Sequence, residues 1–175
     1  IASFVPSGRY DPLTYIDDIP LRRRFAALPA MEKAAVAELI GGNIAKHIFY
    51  ATPAGKEVRH EGFAATAIPV LKHRTGAALA EKVTPDTAFQ ARFDDLTVIA
   101  TAPPLTAAIL RRIDNKTTLE DIYFDLVADS PGLGWNGFIS QFQELYGALH
   151  GLLNAMFLRR DPEGSPATSP EPDAP

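Results

Sequence analysis

The sequence predicts an α+β fold, mainly helical with short strands and with a winged-helix-like module towards its C-terminal end. Three observations predict it. Apolar residues recur at helical spacing in three successive segments between 104 and 153. Short β-branched or aromatic runs stand at 46–51, 67–72 and 96–100. From 96 to 158 the order is strand, helix, short turn, capped helix, loop, long helix, strand, which is the order of a winged-helix module; three amphipathic helices in sequence also suit a plain helical bundle.

Each element has a local reason. Residues 1–20 read as an extended linker: Pro6, Gly8, Pro12 and Pro20 forbid a long helix, and Phe4, Tyr10, Tyr15 and Ile16 suggest that it lies along a surface. Residues 21–28 suit a short helix stopped at Pro29. The Ala-rich stretch 30–40 predicts a helix with Met31, Ala35, Val36, Leu39 and Ile40 on its buried stripe, ended by Gly41-Gly42. The run Lys46 to Ala51 predicts a strand, and 67–72 a second one, which Pro69 places at an edge. Residues 76–83 and 86–91 suit short helices, and 96–100 a third strand. Pro104 opens a helix over 104–113, with Leu105, Ala108, Ile109 and Ile113 inward. Asn115 suits a left-handed turn, and Thr117-Thr118-Leu119-Glu120 reads as a capping box with Glu120 reaching back. The helix it opens, 118–128, is expected to bury Leu119, Ile122 and Leu126, with Tyr123 or Val127 beside them. A long amphipathic helix from Trp135 to about Leu153 carries Phe138, Phe142, Leu145, Leu149, Leu152 and Leu153 on its apolar face, and Met156–Leu158 closes the module as a strand.

The domain organisation expected from this pass is an extended linker over 1–20, an α+β regulatory-type subdomain over 21–91, a winged-helix-like subdomain over 92–160, and a disordered acidic, Pro-rich tail over 161–175. The tail holds five of the 15 prolines and no apolar residue larger than Ala, so burial cannot offset its ordering entropy. It also holds four of the 21 acidic residues and no Lys or Arg. The remaining body therefore balances 17 acidic against 17 basic side chains.

That balance argues against nucleic acid and anionic lipid as partners. The helix 118–128, which would enter the major groove of a helix-turn-helix protein, carries Glu120, Asp121 and Asp125 and no Lys or Arg, so phosphate would repel it. No apolar run approaches the ~20 residues of a membrane helix, and no signal peptide opens the chain, so a cytoplasmic location is expected. With 0 Cys, disulfides, zinc thiolates and a Cys nucleophile are excluded. The first Met is Met31, from which a processed chain or a piece of a longer protein is expected.

Catalytic motifs are weak. Gly41-Gly42 follows a helix and Gly132-Leu133-Gly134 follows Pro131, so neither makes the strand-to-helix glycine turn of a nucleotide site. His47, His60, His73 and His150 show no metal-ligand spacing, and no G-x-S-x-G turn occurs. Accordingly no catalytic, cofactor or metal residue is expected in this chain. The segment Asn43-Ile44-Ala45-Lys46-His47-Ile48-Phe49-Tyr50 sets polar side chains just before an apolar strand. It marks a candidate cleft or interface at Asn43, Lys46, His47 and Tyr50, facing Arg22, Arg23, Arg24 and Trp135 across the seam.

Three stretches carry a family resemblance. FAALPAMEKAAVAELIGGNIAKHIFYAT, PPLTAAILRRIDNKTTLEDIYFDL and FISQFQELYGALHGLLNAMFLRR resemble the regulatory-type and winged-helix-like region that follows the catalytic domain in some bacterial class I S-adenosylmethionine-dependent methyltransferases. PSGRYDPLTYIDD is similar to the linker leaving such a catalytic domain, so the resemblance covers roughly residues 6–160. It implies a non-catalytic accessory region, with S-adenosylmethionine bound by the parent enzyme outside this chain. The implied partners are the methyltransferase catalytic domain, in cis or in trans, and a protein or peptide substrate, with homo-oligomerisation left open. The alternative is a stand-alone winged-helix module that binds a peptide at a sheet edge, 46–51 or 96–100, as the partner of a modifying enzyme.

Overall fold

The structure, a computed structural model, describes residues 3–42, 44, 46–51, 53, 63–84, 87–93 and 96–160. Asn43, His60 and the acidic tail lie outside the described residues. The fold is α+β, with three small antiparallel pairs of strands around a helical core.

The N-terminal part begins with β1 (Ser3–Phe4), which pairs with β2 (Phe49–Tyr50). The strand expected over 46–51 is thus reduced to two residues, both exposed. Between them run two 3-10 turns, Ser7–Tyr10 and Pro12–Thr14, then α1 (Ile19–Ala26) and α2 (Ala30–Gly41). Helix α1 starts two residues earlier than expected. Asp18 accepts from the Leu21 amide at 2.9 Å, and Pro20 sits in the first turn, where its missing N–H costs nothing. Gly42, at φ 87, ends α2 as expected of a glycine cap.

The face of α2 is a correction. Ala34 and Ala37 are buried, whereas Met31 and Leu39 are 57% and 85% exposed. The inner face meets the backbone of the Ser7–Tyr10 turn and the ring of Tyr10, which leaves room only for methyl groups.

The C-terminal part holds the main core. β3 (Ala67–Leu71) pairs with β6 (Met156–Arg160) over five positions, from Ala67 opposite Arg160 to Leu71 opposite Met156. Pro69 lies on this two-stranded ribbon, which spares its missing donor. Helix α3 (Gly76–Ala80) packs on α4 (Thr106–Arg112). The hairpin β4 (Ala88–Phe93) and β5 (Leu96–Thr101) stands between them in sequence. The helix expected over 86–91 is a correction: residues 88–93 form β4, burying Ala91 and Phe93 and exposing Gln90 and Arg92. The expected subdomain break at 91/92 falls inside this strand.

Helices α5 (Leu119–Asp129) and α6 (Trp135–Tyr146) complete the core with α4. Leu119, Ile122 and Leu126 from α5 meet Phe138, Phe142 and Leu145 from α6 and Ile109 and Leu110 from α4, all essentially inaccessible to water. Each such side chain contributes about 1.5–3 kcal/mol of transfer free energy. The cap of α5 is shifted by one residue from the expected box: Thr118 Oγ1 accepts from the Asp121 amide at 3.2 Å and donates to the Asp121 carboxylate at 2.7 Å. Glu120 instead uses its amide to donate to Ala65 O at 3.0 Å, tying α5 to the approach to β3. Asn115, at φ 68, is left-handed as expected, and its side chain continues the ladder beyond β3: Oδ1 accepts from Leu71 N at 2.8 Å and Nδ2 donates to Leu71 O at 3.3 Å.

Helix α4 begins at Thr106, two residues after Pro104. Strand β6 pairs with β3 and β5 with β4, so the two strands that flank the three helices in sequence belong to different ribbons.

Candidate functional site

The long helix predicted to run to Leu153 changes winding at its end. Gly147–Leu152 form a π-helical turn, in which Leu153 N donates to Ala148 O at 3.1 Å. Such wide turns recur at functional sites because they re-aim the side chains around them. Gly147 and Gly151, four residues apart, are the sequence signal that this end of the helix is unusual.

The turn also receives the N-terminal segment. A Cβ on Gly8 would stand 2.7 Å from Gly151 O, so backbone meets backbone there. On the turn itself Tyr146 and His150 stack, with ring centroids 4.7 Å apart and planes 10° apart. His150 Nδ1 lies 2.8 Å from Met156 O. A carbonyl only accepts, so Nδ1 carries the proton and Nε2 of the neutral ring is the acceptor. Burial holds the Tyr146 phenol above the usual tyrosine value, with a contact to the Leu158 backbone opposing the shift. Tyr146 is therefore a neutral hydroxyl at physiological pH.

Two clefts meet at this stacked pair. The larger, about 670 Å³, lies between residues 7–17, β5 and the π-helical turn. Its rim carries Asp11, Asp17 and Glu144. Arg22 also reaches it, with NH1 donating to Leu13 O and Ile16 O at 2.6 Å each, so this guanidinium ties α1 to the turns before it. The smaller cleft, about 390 Å³, lies on the other side of the pair. Phe4 and Tyr50 reach it from the β1–β2 ribbon, Phe157 and Leu158 from β6, and Lys72 and Asn154 from its polar end. The Lys72 ammonium donates to Asn154 Oδ1.

The predicted site residues disperse over this arrangement. Tyr50 lines the smaller cleft and Arg22 the larger. His47 lies beside them on a relay of its own: Tyr10 Oη is 3.1 Å from His47 Nδ1, and His47 Nε2 is 3.8 Å from Glu38 Oε1. With Nε2–H turned to Glu38, Nδ1 accepts from the Tyr10 hydroxyl. Burial raises the Tyr10 pKa; Arg9 opposes the shift and Glu38 adds to it. The phenol therefore stays protonated as the donor. Lys46, Arg23 and Arg24 are exposed. Trp135 is in neither cleft: its ring meets Tyr123 edge-on at 5.2 Å, and it packs on the helical core. Sequence reasoning missed Tyr146, Lys72 and Asn154 as cleft residues. It read His150 as a packed, hydrogen-bonded histidine without placing it in a cleft.

Among the described residues no three His, Cys, Asp or Glu side chains converge as metal ligands, and no helix is long and apolar enough to cross a membrane. Comparison with known protein families, with curated proteins and with solved structures finds no match to this chain.

Proposed function

We propose that this chain is the non-catalytic accessory region of an S-adenosylmethionine-dependent methyltransferase, docking on the catalytic domain in cis or in trans and helping to select the substrate. The observation that carries the reading is the outward stripe of α2. Met31, Ala35 and Leu39 follow one another at four-residue intervals, all exposed, while the helix buries only alanines. Ile40 adds exposed apolar surface on α2, and Ile19 and Leu21 add more on α1. Apolar surface of this kind marks an interaction face. The family resemblance names the partner, and the two clefts supply room for a substrate group. S-adenosylmethionine then belongs to the partner domain, and the cytoplasm is the compartment the reading implies.

The test is Leu39→Asp and Met31→Asp in the parent enzyme. Both sites are exposed, so the fold tolerates the charge. Substrate methylation should fall at least about tenfold, the effect of losing ~1.4 kcal/mol of docking energy. Affinity for S-adenosylmethionine should stay unchanged. Undiminished turnover in both variants, or in a parent truncated of this region, defeats the reading.

A stand-alone winged-helix-like, peptide-binding module is the second reading, and one observation favours it. The larger cleft is lined by four consecutive residues of β5, Val98–Thr101, and by none of β4. That is how a strand edge presents itself, and an extended peptide can add there by backbone hydrogen bonds. The acidic rim suits basic side chains on such a peptide. Saturable binding of a basic leader peptide to the isolated chain, competing with no catalytic domain, favours this reading over the first.

A further inference from the structure

We propose that the smaller cleft binds a small organic anion with a flat aromatic body, its carboxylate at Lys72 and its ring between the aromatic side chains. The inference concerns this chain alone and stands whether or not a methyltransferase accompanies it.

Size and shape come first. A cleft of about 390 Å³ is within the range of small-molecule sites, which are mostly apolar with a few converging polar groups. Here Phe4, Tyr50 and Phe157 come from three separate strands, and Tyr146 presents the ring it stacks on His150. Flat rings favour offset or edge-on contact with such walls. Tyr50 is 62% exposed and Phe157 37% exposed, so a bound ring removes apolar surface from water that the fold itself leaves wet.

Charge sets the sign of the ligand. Among the described residues that line the cleft, Lys72 carries the one full charge and none is a carboxylate. Its partner is the neutral Asn154 amide oxygen. An ammonium has further N–H donors beyond the one so engaged, and a carboxylate satisfies them with charge-assisted bonds. His150 adds a third requirement. Its Nδ1–H is committed to Met156 O, which leaves Nε2 to accept from a donor on the ligand. A ring N–H or hydroxyl on the aromatic body meets that need.

Indole-3-acetate has all three features and serves as the probe, with indole-3-acetamide lacking the charge and acetate lacking the ring. The full chain is titrated by calorimetry and by amide resonance shifts. The expected result is saturable one-to-one binding of indole-3-acetate, with shifts at Lys72, His150 and Phe157. Indole-3-acetamide should bind about tenfold more weakly, the scale of one charge-assisted bond, and acetate should not saturate. Lys72→Met keeps the apolar stem and should bring acid and amide within about twofold of each other. Equal affinity of acid and amide for the unmodified chain overturns the proposal, as does the absence of saturation or shifts confined elsewhere. The acid-to-amide ratio needs no variant, so the result stands even if Lys72→Met does not fold.

Discussion

The contact between Gly8 and Gly151 holds the N-terminal segment on the π-helical turn, and replacing the two glycines should give different results. A Cβ on Gly8 would stand 2.7 Å from Gly151 O, 2.9 Å from Gly151 C and 3.1 Å from Leu152 Cδ2. Two of the three atoms are backbone and cannot rotate away. Ordinary contact begins near 3.4 Å, so the segment must retreat by about 0.7 Å. Overpacking of this kind costs about 1–3 kcal/mol. Gly8 has no positive φ, so alanine also restricts the unfolded chain, which returns about 0.4–1 kcal/mol. Taken at mid-range, the net expectation for Gly8→Ala is a loss of about 1.3 kcal/mol, a factor of roughly 10 in the opening equilibrium.

Native-state amide exchange reads this directly. The reporters are Val5 N, bonded to Ile48 O at 2.8 Å, and Thr14 N and Tyr15 N in the following turn. They should exchange faster by that factor, while the amides of α5 and α6 should not change. In Gly151→Ala the nearest atoms stand at 3.8 Å, an ordinary contact. That variant should be neutral, or stabilised by about 0.5–1 kcal/mol as glycine leaves a helical position. Unchanged exchange in Gly8→Ala, or the same response in both variants, would refute the docking of the segment on the turn and with it the walls of both clefts.

Two further outcomes follow from local geometry. Thr118→Ala removes the cap of α5 and should cost about 1 kcal/mol in urea unfolding, whereas Thr117→Ala, outside the cap, should cost less. Asp114 accepts from the Thr117 amide at 2.7 Å and the Lys116 amide at 2.8 Å, and the Thr117 bond foremost holds its carboxyl below the usual aspartate value. A depressed folded-state pKa contributes stability above the unfolded-state value and loses it as pH falls through the folded one. The deficit of Asp114→Ala should therefore be full at pH ~5 and close on going towards pH ~2, as read from urea midpoints. A deficit that stays constant over that range contradicts the assignment.

Local signals in the sequence decided most elements. Gly42 ends α2, Asn115 turns left-handed before α5, and the 3.6-residue spacing of Leu119, Ile122 and Leu126, and of Phe138, Phe142 and Leu145, marks their inner faces. These features depend on neighbours within a turn or two of helix. Where a choice depended on what comes close from elsewhere, the sequence was ambiguous. Met31 and Leu39 look like a core stripe, yet the Ser7–Tyr10 turn approaches so closely that only Ala34 and Ala37 fit beneath it. Residues 86–91 have helix-compatible composition, and the alternation of Phe89, Ala91 and Phe93 prevails because β5 offers a ladder along its whole length.

The candidate site shows the same division. Its donors and rings come from positions as distant as Phe4, Lys72 and Tyr146, and no short-range pattern links them. Composition and periodicity determined an α+β chain whose helical core lies in its C-terminal part. Tertiary structure decided which strands pair, which face of α2 stays wet, and that Tyr146 and His150 stand between two clefts. Burying apolar helix faces is a constraint each segment meets with its own residues. A cleft exists only where segments distant in sequence stop short of touching.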